Sequence, residues 1–218
     1  MTEKNTKGQH PVVKDIRINI RNYQELFSDC SDIKMRQMLL GKEMKVRCMI
    51  AYIETSVGNM MLEKSALGQT LNRLCEIPSE SVLACVEENS MGISDAAPMD
   101  TIEEAGDGML SGDAILFVDG YNKALKIPDK GYPGKMVSDT ESEKVIRGSN
   151  EGFTESVKMN TALIRKRIRS PKVKVKEKKV GVRSKTNVDL VYIEDLADPD
   201  LLKNIEDRLE RFEIDGIL

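Results

Sequence analysis

Apolar residues recur along this chain with the two spacings that distinguish helices from strands. A helix is predicted from about residue 57 to residue 75, because its apolar positions fall on one helical face. Those positions are Met60, Leu67, Leu71 and Leu74. Two later helices, over residues 154–168 and from residue 198 onward, are predicted in the same way. Their inner stripes are Val157, Thr161, Ile164 and Ile168, and Leu202, Ile205, Leu209 and Phe212.

Strand signals appear where apolar or β-branched residues are contiguous or alternate with polar ones. They predict strands over residues 45–54, 113–118, 123–127, 172–177 and 188–193. The pair Asp119-Gly120 supplies a tight turn, so the second and third of these strands are expected to form a hairpin. The fourth alternates Val with Lys, as an edge strand or a hairpin arm would.

The N-terminal region is expected to begin with a mobile tail, to about residue 20. An amphipathic helix over about residues 22–40, interrupted near Ser31, is predicted to follow. Three later helices have recognisable start signals: a capping-box pair, a threonine cap, and an Asp-Pro start. These are Asp100 with Glu103, Thr154, and Asp198 with Pro199.

A five-residue pattern occurs twice, 140 residues apart. Residues 51–55 read Ala-Tyr-Ile-Glu-Thr and residues 191–195 read Val-Tyr-Ile-Glu-Asp, each closing a predicted strand and preceding a predicted helix. The repeat predicts an α/β chain with two small α/β subdomains, each with a mixed sheet packed by helices. The expected divisions are a flexible N-terminal tail and lead-in over 1–30, a first subdomain over 31–147, and a second over 148–218.

Composition narrows the class of protein. The 218 residues are 40% hydrophobic but only 4% aromatic, with 12 Met and no Trp, so aliphatic side chains and Met are expected to fill the core. The longest apolar run, residues 48–53, is far shorter than the roughly 20 residues of a membrane helix. The four cysteines show no paired metal-ligand spacing and fit reduced thiols in the cytosol. The apolar alternation up to Leu218 is expected of a chain cut from a longer protein.

Charge is polarised along the sequence. Residues 76–122 contain eleven acids and no Lys or Arg, whereas residues 165–185 contain eleven bases and one acid. The basic block has three interpretations: a solvated face, which we favour, a site for phosphates of nucleic acid or anionic lipid, or a surface that meets the acidic segment of a neighbouring copy. The block lacks aromatic residues for base stacking, so nucleic acid is not favoured as a partner.

Catalytic signatures are poor. Residues 134–136, Gly-Lys-Met, depart from a phosphate-binding loop, and the single histidine, His10, lies in the predicted tail. Glu54 and Glu194 close the repeated strands but are expected to lie in separate subdomains, too far apart to act as paired carboxylates. The chain is therefore predicted not to be an enzyme and to need no cofactor or metal.

The segment Gly-Phe-Thr-Glu-Ser at 152–156 lies at a predicted helix start, where free backbone N–H groups favour an anion. A small carboxylate or a phosphate is one candidate occupant. Capping by Thr154, with Phe153 as an apolar anchor, explains the segment without any ligand and is the preferred interpretation.

Several blocks follow one another in a fixed order in the second half of the chain. They are Ser-Gly-Asp at 111–113, Ile-Leu-Phe-Val-Asp-Gly at 115–120, Gly-Phe-Thr-Glu-Ser at 152–156, Ala-Leu-Ile-Arg at 162–165, Gly-Val-Arg-Ser-Lys-Thr at 181–186 and Val-Tyr-Ile-Glu at 191–194. Together they resemble the A subunit of the spore germinant receptors, the GerA family, over roughly residues 31–218. Ser149 and Asn150 replace the proline and arginine that are usual in the family, so no role of that arginine is carried over.

The resemblance implies a receptor subunit of the spore inner membrane that senses nutrients and triggers ion release. This chain would be its soluble N-terminal domain, facing the cytoplasm (the spore core) and contributing to receptor assembly, signal transmission and, as a further role, germinant recognition. Partners would be the B and C subunits, other A-subunit copies and a small nutrient germinant, with the membrane reached through a C-terminal region absent from this chain.

Candidate ligand or interface residues are Thr154, Glu155, Ser156, Asn160, Arg165, Arg167, Arg183, Ser184 and Lys185. The alternative is a soluble protein that binds nucleic acid or an anionic surface through residues 165–185.

Overall fold

The chain has two compact units, each with its own sheet. The computed structural model describes residues 9–55, 65–89, 96–128, 152–211 and 215. Residues 1–27 and 33–132 belong to the first unit, and residues 28–32 and 133–218 to the second. The predicted α/β class, with two sheets packed by helices, is confirmed. The strand pairs of both sheets are all antiparallel, however, rather than mixed. The predicted division after residue 147 lies outside the described residues.

The first unit is built on a five-stranded antiparallel sheet with strand order β1-β2-β4-β5-β3. Its elements are α1 (Ile16–Leu26), β1 (Ile33–Leu40), β2 (Val46–Ile53), α2 (Ala66–Glu76), α3 (Ser79–Glu87), β3 (Ala97–Met99), α4 (Ile102–Leu110), β4 (Ala114–Val118) and β5 (Ala124–Ile127). β1 is therefore an edge strand.

Helices cover both faces of this sheet, and alternate residues of its central strands point to the two sides. On one side, Leu67 and Leu74 of α2 and Val82 of α3 pack with Ile50 and Leu116 in one buried cluster. On the other side α1 and α4 are in contact, and the ring of Tyr23 meets that of Phe117 with 5.2 Å between centroids. The sheet thus lies between two layers of helix, and β2 is buried from Cys48 to Ile53.

The second unit is smaller. Its elements are α5 (Val157–Arg167), β6 (Val173–Val180), β7 (Thr186–Ile193) and α6 (Pro199–Glu210). β6 and β7 form an antiparallel hairpin, which α5 contacts through β7 and α6 through β6. Asp198 caps α6 by accepting a hydrogen bond from the backbone N–H of Asp200, as the Asp-Pro signal predicts. Every residue of β7 except Asn187 is half-buried, so this strand is less enclosed than β2.

The repeated sequence pattern corresponds to two hairpins of identical register. β1 pairs with β2 so that Ile33 lies opposite Ile53, and β6 pairs with β7 so that Val173 lies opposite Ile193. Each position of the second hairpin is thus 140 residues after its equivalent in the first. Each hairpin also turns at a glycine in the left-handed region, at positions 41 (φ 85°) and 181 (φ 92°).

The two glutamates of the repeat have equivalent surroundings in their separate units. Lys34 Nζ is 3.5 Å from a carboxylate oxygen of Glu54, and Lys174 Nζ is 3.6 Å from one of Glu194. Each lysine lies on the strand next to its glutamate, so these pairs tie the strands of each hairpin together.

The N-terminal part of the chain differs from the sequence-based prediction. The helix predicted over residues 22–40 is wrong in extent: α1 ends at Leu26, and residues 33–40 form β1. Residues 16–20, predicted as tail, begin α1, in which Ile16 and Tyr23 are buried. The reason is tertiary, because all eight residues of β1 pair with β2.

The start of α4 is shifted by one residue from the predicted capping box. Thr101, rather than Asp100, is the cap, and its Oγ1 accepts from the N–H of Glu104 at 3.2 Å. Glu104 in turn accepts from the backbone N–H of Asp100 at 3.2 Å. Thr101 and Glu104 thus resemble a capping box, except that Glu104 accepts from the residue before the cap rather than from the cap itself.

Candidate functional site

A short segment between α1 and β1, residues 28–32, runs beside β6 in the manner of a third strand. The backbone N–H of Ser31 donates to Val175 O, and that of Val175 donates to Asp29 O, both at 2.9 Å. Cys30 makes a parallel bridge with Val175. These contacts explain why the segment belongs to the second unit although Phe27 and Ile33, on either side of it, belong to the first.

A buried ion pair holds this segment against α5. Arg165 has no exposed side-chain surface, and its guanidinium donates to both carboxylate oxygens of Asp32, at 2.7 and 3.0 Å. A third bond runs from Arg165 to Ser170 O at 3.2 Å. Burial alone would lower the pKa of Arg165, but the hydrogen bonds and charge of Asp32 outweigh it and raise the pKa. Arg165 therefore stays charged, and the bidentate geometry of its bonds to Asp32 fixes both side chains.

The thiol of Cys30 lies beside this pair. Burial raises the pKa of the thiol, and the neighbouring guanidinium of Arg165 only partly opposes the shift. Cys30 is thus a packed thiol rather than a thiolate nucleophile at neutral pH.

The start of α5 contains four of the predicted site residues. Ser156 is the N-cap and makes no side-chain capping bond, so the prediction that Thr154 caps the helix is wrong. Instead, the backbone N–H of Thr154 donates to Asn160 Oδ1 at 2.7 Å, and Asn160 Nδ2 donates to Thr154 O at 2.8 Å. These two reciprocal bonds between Thr154 and Asn160 fix the loop without a ligand. Glu155, between them, is exposed.

The β6–β7 turn contains three more of the predicted residues. The backbone N–H groups of Arg183 and Ser184 both donate to Asp215 O, at 3.0 and 3.2 Å. The side chain of Arg183 is 83% exposed and 3.7 Å from a carboxylate oxygen of Asp215. Lys185 is exposed and has a positive φ of 46°. The turn therefore exposes cationic side chains, while two of its backbone N–H groups are already hydrogen-bonded to Asp215.

Most lysines of β6 are ion-paired within the unit. Lys176 Nζ and Lys178 Nζ each lie 2.8 Å from a carboxylate oxygen of α6, on Glu206 and Glu210 respectively. Alternate residues of a strand and residues one helical turn apart have similar spacing, so the two rows match. The basic block is therefore largely compensated by acids outside it in sequence.

The predicted candidate residues lie in four places within the second unit: the start of α5, the interior, the end of α5, and the β6–β7 turn. Arg165 is interior, while Arg167, near the end of α5, is exposed. Sequence reasoning missed Asp32, Glu206 and Glu210 as partners. Only the last two had a signal, since they are one helical turn apart while Lys176 and Lys178 alternate.

No cluster of His, Cys, Asp or Glu suited to a metal ion occurs within the described residues. The same residues include no helix that is both long and apolar enough to cross a bilayer.

These features define an α/β domain with two units, in which residues 28–32, flanked on both sides by residues of the first unit, are fixed into the second by a buried ion pair. The chain belongs to the family described as Bacillus/Clostridium GerA spore germination protein, which matches residues 21–218. This is a family of germinant-receptor subunits rather than a known enzyme family.

The relatives of this chain include spore and membrane proteins of Bacillus. The chain is 34% identical over 209 residues to the uncharacterized membrane protein YfkQ of Bacillus subtilis, with 95% of this chain and 40% of that protein covered. It is 35% identical to stage V sporulation protein AF of the same organism, with 85% and 37% covered. Spore germination protein KA, again of Bacillus subtilis, is 26% identical, with 92% and 37% covered. The chain thus spans about two-fifths of the length of these relatives.

A solved structure has the same fold. It is the crystal structure of the N-terminal domain of the A subunit of the Bacillus megaterium spore germinant receptor GerK3, with a TM-score of 0.70 and 26% identity. The match covers 96% of this chain and 75% of that chain.

Proposed function

We propose that this chain is the N-terminal domain of a germinant-receptor A subunit and that it contributes to receptor assembly and to transmission of the germination signal. The family match over residues 21–218 and the likeness to the GerK3 A-subunit domain support the receptor part of the proposal.

The role in transmission rests on one observation, the fixation of residues 28–32 by Arg165 and Asp32. These residues continue directly into β1 of the first unit, yet they are hydrogen-bonded to β6 and ion-paired to α5. A displacement of α5 or β6 would therefore pull on the residues that lead into β1. This route couples the two units through the chain itself.

Within this proposal the partners are the B and C subunits, other A-subunit copies and a small nutrient germinant. The domain faces the cytoplasm of the spore at the inner membrane, to which further parts of the protein attach it. The exposed residues at the β6–β7 turn and around Glu155 are the candidate interface, because the interior member, Arg165, is inaccessible to a partner.

The alternative of nucleic-acid binding through residues 165–185 is not favoured. Arg165 is buried against Asp32, and Lys172, Lys176 and Lys178 are paired with carboxylates. A phosphate backbone would have to displace these acids before it released counterions, which removes much of the driving force.

The experiment replaces Arg165 by Met in the full-length receptor of a spore-forming host. Arg169→Gln is the matched control, because Arg169 is an exposed cation four residues away. We expect Arg165→Met spores to respond more slowly to nutrient while responding normally to a nutrient-independent trigger, and Arg169→Gln spores to behave as wild type. Immunoblots of spore membranes separate the two roles, since loss of the subunit indicates failed assembly and normal amounts indicate failed transmission. A normal nutrient response in Arg165→Met spores would overturn the proposal.

A further inference from the structure

The first unit contains a groove between α1 and the edge strand β1, with a volume of about 220 Å³. α1 contributes Ile16 and Ile20, β1 contributes Gln37 and Leu39, and β2 forms the remaining wall. The predicted site residues all lie in the second unit, so none of them lines this groove.

The groove has an apolar floor. Ile16 is only 2% exposed and Ile20 is half-buried, whereas Leu39 on the opposite wall is 38% exposed. An exposed leucine that faces buried isoleucine side chains across an open groove presents apolar surface that a ligand could cover.

Two arginines lie at the rim, and they differ in their partners. Arg17 is bound twice by Asp15, through Nε at 3.0 Å and a terminal nitrogen at 2.8 Å. Hydrogen bonds from Arg17, together with the charge of Arg47, lower the pKa of Asp15 to about 2, so its carboxylate is ionised at neutral pH. Arg47 makes no ion pair with any described carboxylate. Arg47 lies directly opposite Leu39 in the β1–β2 ladder, so its charge stands next to the apolar wall.

We propose that this groove binds a small organic monocarboxylate with a short apolar tail. The carboxylate accepts hydrogen bonds from Arg47, the tail covers Ile16, Ile20 and Leu39, and the amide of Gln37 supplies a further polar contact. Arg–carboxylate pairing is the strong, directional contact that such a ligand offers.

Size and charge restrict the ligand. The volume lies below the roughly 300–1,000 Å³ of sites for larger ligands, so the occupant has few atoms. One guanidinium that makes no ion pair within the described residues matches one negative charge, and the ionised Asp15 beside it disfavours a phosphate dianion. The site therefore selects a monoanion with an apolar tail, independently of the receptor role proposed above.

The test is a titration of the 218-residue chain, followed by backbone-amide NMR, with 4-methylpentanoate as the probe. Its uncharged amide, 4-methylpentanamide, has the same tail. We expect saturable binding of the carboxylate with a millimolar Kd, ordinary for so few atoms, and shift changes concentrated at residues 16–20, 37–39 and 47–48. The amide should bind at least about tenfold more weakly, since a charge-assisted hydrogen bond is lost.

Two variants test whether Arg47 is the residue that binds the carboxylate. Arg47→Gln should weaken the carboxylate at least about tenfold and leave the amide unchanged. Arg36→Gln is the matched control: Arg36 is an exposed arginine of β1 whose side chain points to the other face of the sheet. A carboxylate that fails to saturate, an amide that binds equally well, or an equal loss in both variants would each overturn the proposal.

Discussion

At the scale of single residues, Asp189 of β7 shows how one carboxylate responds to its surroundings. Partial burial raises its pKa, and the hydrogen bond from Thr161 Oγ1, at 2.8 Å, opposes the shift. The charge of Glu177, which lies directly opposite on β6, raises the pKa further, as does that of Asp32. The ionised form of Asp189 is thus disfavoured in the folded protein.

The Asp189→Asn variant should therefore be more stable than wild type at pH 7, by about 0.5 kcal/mol, the scale of a cross-strand pair of like charges. Asparagine still offers an oxygen to Thr161. Because the folded-state pKa of Asp189 is raised, its contribution to stability is fully present below the unfolded pKa and is lost as pH rises through the folded pKa. The difference between the two proteins should vanish at acid pH below the unfolded pKa of Asp, about 3.9.

Urea denaturation of both proteins between acid and neutral pH measures this difference. Thr161→Val serves as the reference for the hydrogen bond, because it removes the donor and leaves the charge. A variant that is less stable than wild type at pH 7 would show that the bond to Thr161 outweighs the repulsion.

At the scale of elements, the two hairpins offer a comparison at equivalent positions. A methyl group added at Gly41 would lie 2.3 Å from Ser79 Oγ and 2.6 Å from its Cα, because the β1–β2 turn packs against the start of α3. The backbone there is held by bonds from Gly41 to Leu74 O and from Lys42 to Ile77 O. Gly181 has the same left-handed conformation, and it lines a pocket together with Leu209 and Glu210 of α6.

Gly181→Ala should cost about 1–2 kcal/mol through left-handed strain. Gly41→Ala should cost about 1–3 kcal/mol more, since the α2–α3 corner must also move. Native-state hydrogen exchange measures the two hairpins separately, through the amides of β1–β2 and of β6–β7. Equal losses in the two variants would mean that the α2–α3 corner yields without cost.

Strands with strong local signals were predictable from sequence. Residues 113–118 and 123–127 flank an Asp-Gly turn and form the β4–β5 hairpin, and the repeated Tyr-Ile-Glu pattern marked the ends of β2 and β7. Residues 33–40 were wrongly predicted as helix, because the mixture of apolar and charged residues there fits both the helical and the strand periodicity. Only the pairing with β2, a tertiary contact, decides for strand.

Of the candidate residues, the sequence identified Arg165 but not its role. A pattern reveals that a cation lies on a helix, but its partner Asp32 is 133 residues away in the chain. Nothing in local spacing connects the two. The groove beside Arg47 was missed for the same reason, because its walls come from elements that pair only in the folded state.

At the scale of the whole molecule, the buried pair governs how the second unit retains residues 28–32. Asp32→Ala leaves a buried guanidinium without its partner and should destabilise the β6–β7 unit by about 3–5 kcal/mol. Arg165→Met should cost less, because the apolar side chain fills the interior and the Asp32 side chain, 11% exposed, can reach water. In the double variant the loss should be smaller than the sum.

Hydrogen exchange at the amides of β6 measures the loss in each variant. Asp29→Asn is the control, since Asp29 is exposed and lies 3.9 Å from Lys176. Additive losses in the double variant would show that Asp32 and Arg165 act independently.

The path of the chain limits how this protein can be divided. It passes into the second unit after Phe27, returns before Ile33, and passes over again after residue 132. A fragment beginning at residue 133 would lack the only described strand-like neighbour on the outer edge of β6, together with the counterion of Arg165. Chimeras between related subunits that exchange residues 133–218 alone would pair one parent's residues 28–32 with the other parent's α5 and β6. Any change in the behaviour of such a hybrid could come from the mismatched contact between residues 28–32 and the α5–β6 surface as much as from the exchanged residues themselves. A chimera that transfers residues 28–32 together with residues 133–218 avoids this mismatch.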